Sequence, residues 1–107
     1  SKVLILGFTF KEDCPDVRNT RVIDIYNELR NFDINVDVYD PWANPEEVMH
    51  EYGVTVTNEL PKEHYSAAIL AVAHKEFANL DIRAIVGDGV VFDVKGVLPK
   101  DKVDARL

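Results

Sequence analysis

Apolar residues follow one another without a break from Val3 to Leu6, and the stretch KVLILG at residues 2–7 predicts a buried strand. The spacing then changes. Over residues 20–32, Val22, Ile23, Tyr26, Leu29 and Phe32 recur at helical intervals and predict a helix with one apolar face. INVDVYD at 34–40 alternates and is rich in β-branched residues, which predicts a second strand, stopped by Asp40-Pro41. NPEEVMHEYG at 44–53 predicts a helix with Asn44 as its cap, Pro45 at the first helical position and Gly53 as terminator. VTVT at 54–57, SAAILAV at 66–72 and VVFDV at 90–94 predict three more strands, and LDIRAIVG at 80–87 a short helix.

The order is β-α-β-α-β throughout. It predicts an α/β fold: a doubly wound, mainly parallel sheet covered on both faces, a Rossmann-like three-layer sandwich with ligands at the carboxyl ends of the strands. Residues 1–107 form one domain, with no repeat, linker or low-complexity segment.

Composition narrows the function. A chain of 107 residues that is 47% hydrophobic can fill a single core. Its 19 acidic and 12 basic residues give a net charge of −7, which opposes broad binding to nucleic acid or to an anionic membrane. No apolar run has the length of a membrane span, and the one cysteine, Cys14, has no internal disulfide partner. The protein is therefore expected to be soluble and cytoplasmic. Because the chain starts at Ser1 and enters a strand almost at once, it is expected to be a piece of something longer.

GFTFKEDCPDVRNTR at residues 7–21 carries the most chemistry. It occupies the place of a phosphate loop, yet Phe8, Thr9 and Phe10 follow Gly7 where a dinucleotide fingerprint needs G-x-G-x-x-G. Lys11, Arg18 and Arg21 supply cations instead, beside a helix start that favours anions. These cations either grip a phosphate or pair with Glu12, Asp13 and Asp16.

Asp40 ends the second strand where a dinucleotide-binding fold places its ribose acid; without the glycines it reads instead as a turn carboxylate capping local amides, with Trp42 as the turn's anchor. His50, His64 and His74 show no metal-ligand spacing, and no metal is expected. His74 lies at the crevice end of a strand and reads either as a ligand contact or as a plain helix-start histidine. A receiver domain of the response-regulator type has similar architecture and could use Asp93 and Lys95. It needs an acidic pair after the first strand, where this chain has Gly7 and Phe8.

GFTFKEDCPDVRNT resembles the C-terminal signature of the UDP-glucose/GDP-mannose dehydrogenase family, with Gly7, Phe10, Lys11, Asp16 and Arg18 on the matching positions. VDVYDP, AVAHKEF and VFDVKGVLP follow in the family's order, so the resemblance covers nearly the whole chain. CPDVRNT and the closing VDARL look most like the branch that oxidises UDP-N-acetylhexosamines for capsule or O-antigen sugars, although Asn19-Thr20 stands where many members have Glu-Ser.

The resemblance implies a UDP-sugar-binding domain of a longer enzyme. In that family the sugar C6 alcohol becomes a carboxylate in two NAD-dependent hydride steps through a cysteine intermediate. NAD is held by an N-terminal Rossmann domain outside this chain, and Cys14, inside the C-terminal signature, is not the nucleophile. By the same resemblance Arg18 binds the UDP-sugar, Lys11 and Phe10 shape or contact the site, and Asp16 orients Arg18. No residue here is expected to be catalytic. The full-length protein is expected to be a homo-oligomer. The alternatives are a family member acting on UDP-glucose or UDP-N-acetylmannosamine, and a stand-alone nucleotide-binding or assembly module.

Overall fold

Unbroken β-branched and aliphatic stretches favour extended backbone buried on both faces, and they build the centre of this molecule. The computed structural model describes residues 2–9, 16–17, 20–61, 63–72, 74–87, 89–93 and 105–106. Within them lie β1 (Lys2–Leu6), α1 (Val22–Asn31), β2 (Asn35–Tyr39), α2 (Pro45–Tyr52), β3 (Val56–Thr57) and β4 (Ala67–Leu70). A 3-10 helix (Lys75–Asn79), α3 (Ile82–Val86), β5 (Val90–Asp93) and β6 (Ala105–Arg106) follow.

Six strands form one sheet in the order β3-β2-β1-β4-β5-β6, and every neighbouring pair is parallel. Strand order therefore reverses between β1 and β4. In such sheets the loops leaving the two central strands diverge and open a crevice at their carboxyl ends. Register places Leu6 beside both Tyr39 and Leu70, so the loops after β1, β2 and β4 emerge at one level.

Alternation along β1 feeds two cores. Leu4 and Leu6 pack with Ala68, Leu70 and Val91 of the sheet and Phe77, Ile82, Ile85 and Val86 above it. Ile5 packs on the opposite face with Val38, Val22 of α1 and Val48 of α2. The large side chains Leu4, Ile5 and Leu6 on β1 and Leu70 on β4 are all at 0% exposure. Burying each contributes about 1.5–3 kcal/mol, which makes this centre the rigid base for the loops.

α2 forms as its sequence predicts. The Asn44 side chain accepts hydrogen bonds from the Glu46 and Glu47 amides at 2.9 and 3.4 Å, Pro45 opens the helix, and Gly53 closes it in the left-handed region at φ 69°. Other boundaries move inward. α1 ends at Asn31, so Phe32 falls outside it and is 70% exposed instead of facing the core. The positive φ of Asp33, 59°, turns the chain there and removes Phe32 from the helical face.

Pairing also shortens β3 to two residues and β4 to four, because neighbouring strands accept only those segments. Of the 80–87 stretch, residues 82–86 are α-helical, and the 3-10 helix before it had no periodic signal. Among the described residues no helix joins β3 to β4, so strict strand-helix alternation fails at that crossing. At the amino end of the sheet, the Lys2 ammonium contacts Asp37 at 3.2 Å and Glu63 at 2.9 Å, while the Tyr65 hydroxyl donates to Asp37 at 2.7 Å.

Candidate functional site

Gly7 follows β1 with φ 97°, a left-handed conformation, and its amide donates to the Tyr39 carbonyl at 2.8 Å. A Cβ here would lie 2.6 Å from Val72 Cβ and 2.9 Å from the Val72 nitrogen. The glycine thus serves close passage between the loops after β1 and β4, not a pyrophosphate.

Asp40 gathers the three loops. It is fully buried, at 0% exposure. One carboxylate oxygen, Oδ1, accepts from the amides of Trp42 at 2.7 Å and Ala43 at 3.1 Å, capping its own turn. The other, Oδ2, accepts from the amides of Phe8 at 2.6 Å and Thr9 at 3.1 Å, across 32 and 31 residues of sequence. His74 Nε2 lies 2.9 Å from the same oxygen and 3.0 Å from Thr9 Oγ1. Because an ionised carboxylate only accepts, Nε2 carries the hydrogen that faces it. Burial by itself would raise the Asp40 pKa, but the bonds from His74, Phe8 and Trp42 outweigh it and hold the group below its ordinary value.

This arrangement settles two readings of the sequence. Asp40 does cap its turn, and with both oxygens occupied it is not placed to hold a ribose. The loop lacks the three glycines of a dinucleotide fingerprint, and among the described residues the acid at the end of β2 is already engaged. His74 does start a helix, as the N-cap residue of the 3-10 helix, and its ring is in addition a buried tie to Asp40. The Trp42 ring stacks against its imidazole at a centroid distance of 6.2 Å, and the indole Nε1 donates to Glu76 at 2.9 Å. Lys75 lies over the other ring system, with Nζ 5.4 Å from the Trp42 centroid.

The returning end of the β1 loop is tied as well. Thr20 Oγ1 donates to the Thr9 carbonyl at 3.5 Å and accepts from the Val22 amide at 3.3 Å, which couples the loop's two ends to the start of α1. Val17 is fully buried in the core beside Phe8, and the Tyr52 hydroxyl at the end of α2 donates to its carbonyl at 2.6 Å. Asp16, next to Val17, is half-buried. Phe10, Lys11, Cys14 and Arg18, like Lys95 near the chain's end, lie outside the described residues. Arg21 is exposed at the N-terminus of α1.

Sequence reasoning missed the Asp40–His74–Thr9 tie and the anchoring of Val17 by Tyr52. The only available signal was that Asp40 and His74 both follow predicted strands. A groove of about 680 Å³ lies elsewhere, at the edge of β2, and is lined by residues of α1, β2 and segment 55–61, including Tyr26, Arg30 and Glu59. Among the described residues no cluster of three or more His, Cys, Asp or Glu is placed to hold a metal ion. No described helix is long and apolar enough to cross a membrane.

A parallel sheet of this order defines the doubly wound class of domain, which binds ligands at the switch point where the loop after β1 begins. The chain belongs to the UDP-glucose/GDP-mannose dehydrogenase family: residues 4–100 match that family's UDP binding domain. It is 49% identical over 111 residues to a UDP-N-acetyl-D-glucosamine 6-dehydrogenase of Salmonella typhi and 48% identical over 111 residues to one of Pseudomonas aeruginosa. In each case the match spans 100% of this chain and 26% of the relative, so the chain accounts for about a quarter of those proteins. Its fold also superposes on a UDP-glucose dehydrogenase of Pyrobaculum islandicum with a TM-score of 0.78 at 27% identity, covering 98% of this chain and 24% of that one.

Proposed function

We propose that this domain is the UDP-sugar-binding part of a longer, NAD-dependent nucleotide-sugar 6-dehydrogenase that oxidises a UDP-N-acetylhexosamine for polysaccharide biosynthesis. The observation that carries the reading is the β1 loop, rooted at the sheet's switch point and bearing Lys11, Asp16 and Arg18 in a domain matched to a UDP-binding family.

In this reading Arg18 binds the diphosphate through paired hydrogen bonds, Lys11 and Phe10 shape or contact the site, and Asp16 orients the guanidinium. Val17, buried between Asp16 and Arg18 in sequence, roots that part of the loop in the core. NAD and the catalytic cysteine belong to the rest of the enzyme, which is expected to act as a cytoplasmic homo-oligomer. This chain's task is to hold and orient the nucleotide end of the substrate.

Two measurements test it. Amide-resolved NMR titration with UDP, UDP-N-acetylglucosamine and NAD, each alone, should shift the loop around residues 11–21 with the UDP ligands and not with NAD. In the full-length enzyme Arg18→Ala should raise KM for the UDP-sugar at least about tenfold, the equivalent of 1.4 kcal/mol. An unchanged KM removes Arg18 from the site. Preferential turnover of UDP-glucose or UDP-N-acetylmannosamine would replace the proposed sugar while keeping the domain's role.

A further inference from the structure

We propose that the buried Asp40–His74 pair is a positioning clasp for the UDP-sugar loop, acting through Thr9 on the residues that touch substrate. The inference rests on the reading of that loop as the nucleotide-diphosphate site.

The geometry assigns this role on three grounds. First, the carboxylate joins loops from three different strands: Phe8 and Thr9 after β1, Trp42 and Ala43 after β2, and His74 after β4. A turn cap alone would need only the bonds to Trp42 and Ala43. Second, Thr9 is held from two sides, its amide by Asp40 and its hydroxyl 3.0 Å from His74 Nε2, and it precedes Lys11 by two positions. Third, the Thr9 carbonyl receives Thr20 Oγ1, so the position fixed by the clasp reaches both ends of residues 10–19.

All three central groups are sealed from water, with Thr9 at 1%, Asp40 at 0% and His74 at 2% exposure. A buried polar set with matched donors and acceptors resists alternative arrangements, because any shift leaves a buried group unpaired. The loop root consequently has one favoured placement before substrate arrives, and the ordering cost of binding is reduced. Asp40 and His74 make no substrate contact in this scheme; they are positioning residues.

The test uses the full-length dehydrogenase with four single variants. His74→Ala removes the tie, His74→Gln restores an N–H donor of similar reach, Thr9→Val removes only the hydroxyl, and Tyr65→Phe removes a half-buried hydrogen bond at the opposite end of the sheet. UDP inhibition constants, KM for the UDP-sugar and kcat are measured below each variant's unfolding temperature. Hydrogen exchange at the Phe8 and Thr9 amides is followed without ligand.

The expected result is a rise of about tenfold in both KM and the UDP inhibition constant for His74→Ala, with recovery to within about threefold in His74→Gln. Thr9→Val should show a smaller rise, and Tyr65→Phe none. Exchange at Phe8 and Thr9 should quicken in His74→Ala and slow again in His74→Gln. If His74→Ala does not fold, Thr9→Val and His74→Gln carry the same comparison. Normal exchange at Phe8 and Thr9 in both His74→Ala and Thr9→Val, or an equal KM rise in Tyr65→Phe, overturns the clasp. A wild-type enzyme that UDP does not inhibit overturns instead the reading of the loop, whatever the exchange data show.

Discussion

Replacing Asp40 by asparagine changes no atom count in the side chain's outline and isolates what the carboxylate does. Asparagine keeps one acceptor oxygen and substitutes an NH₂ for the other. If the NH₂ takes the Oδ2 position, it faces donors from Phe8, Thr9 and His74; at Oδ1 it faces the amides of Trp42 and Ala43. The second orientation is the cheaper and still leaves two amide donors without an acceptor. Each costs about 1–3 kcal/mol, so Asp40→Asn should destabilise the domain by about 2–6 kcal/mol. Against a total of about 5–15 kcal/mol for a domain, that is a large fraction.

Urea unfolding of this chain at pH 7 measures the loss. With a slope of roughly 1–3 kcal/mol per molar, the midpoint should fall by on the order of 1–2 M. The pH dependence gives an independent check. Asp40 is held below its ordinary pKa of 3.8, so its contribution is complete above that value and is lost as pH falls through the lower, folded value. The difference between wild type and Asp40→Asn should therefore narrow on acidification from pH 5 to pH 2. A difference under about 1 kcal/mol at pH 7, or one that stays constant down to pH 2, would refute the reasoning.

Two further outcomes follow from the same contacts. Gly7→Ala forces a side chain into a left-handed residue and places its Cβ 2.6 Å from Val72 Cβ, so unfolding should become easier by at least about 2 kcal/mol; an unchanged melting temperature would refute the close passage. Tyr65 is held above its ordinary pKa of 10.0, first by burial and then by its bond to Asp37. The neutral hydroxyl favours folding below pH 10, and that contribution drains away as pH rises toward the folded value, at up to about 1.4 kcal/mol per pH unit. Tyr65→Phe should lose stability less steeply than wild type between pH 10 and pH 11.5 in urea titrations, and equal slopes would exclude the effect.

Much of this domain is legible along the chain because it is built from local patterns. The β1 run and the Asn44, Pro45 and Gly53 signals of α2 each act within a few residues, and they produce β1 and α2 where expected. Phe32 misleads because spacing alone does not register the turn that Asp33 makes. β3 and β6 are two residues each, set by what the neighbouring strand pairs with and not by their own composition. The site divides in the same way. Asp40 is readable as a turn cap from its neighbours Pro41 and Trp42, whereas its bonds to Phe8 and His74 span 32 and 34 residues and exist only once the sheet has aligned three loops.

The tie between Thr20 and Thr9 also bears on how such a domain can change over time. Since Thr20 Oγ1 meets the Thr9 carbonyl at 3.5 Å, the chain is held together on the two sides of residues 10–19, and Val17 between them is fixed in the core by burial and by the Tyr52 hydroxyl. Doubling the length of a loop closed at its neck adds only about 0.6 kcal/mol of closure entropy, so insertions away from the Val17 anchor leave the sheet beneath unchanged. Length can therefore change between the anchors at Thr9, Val17 and Thr20 without rebuilding the core.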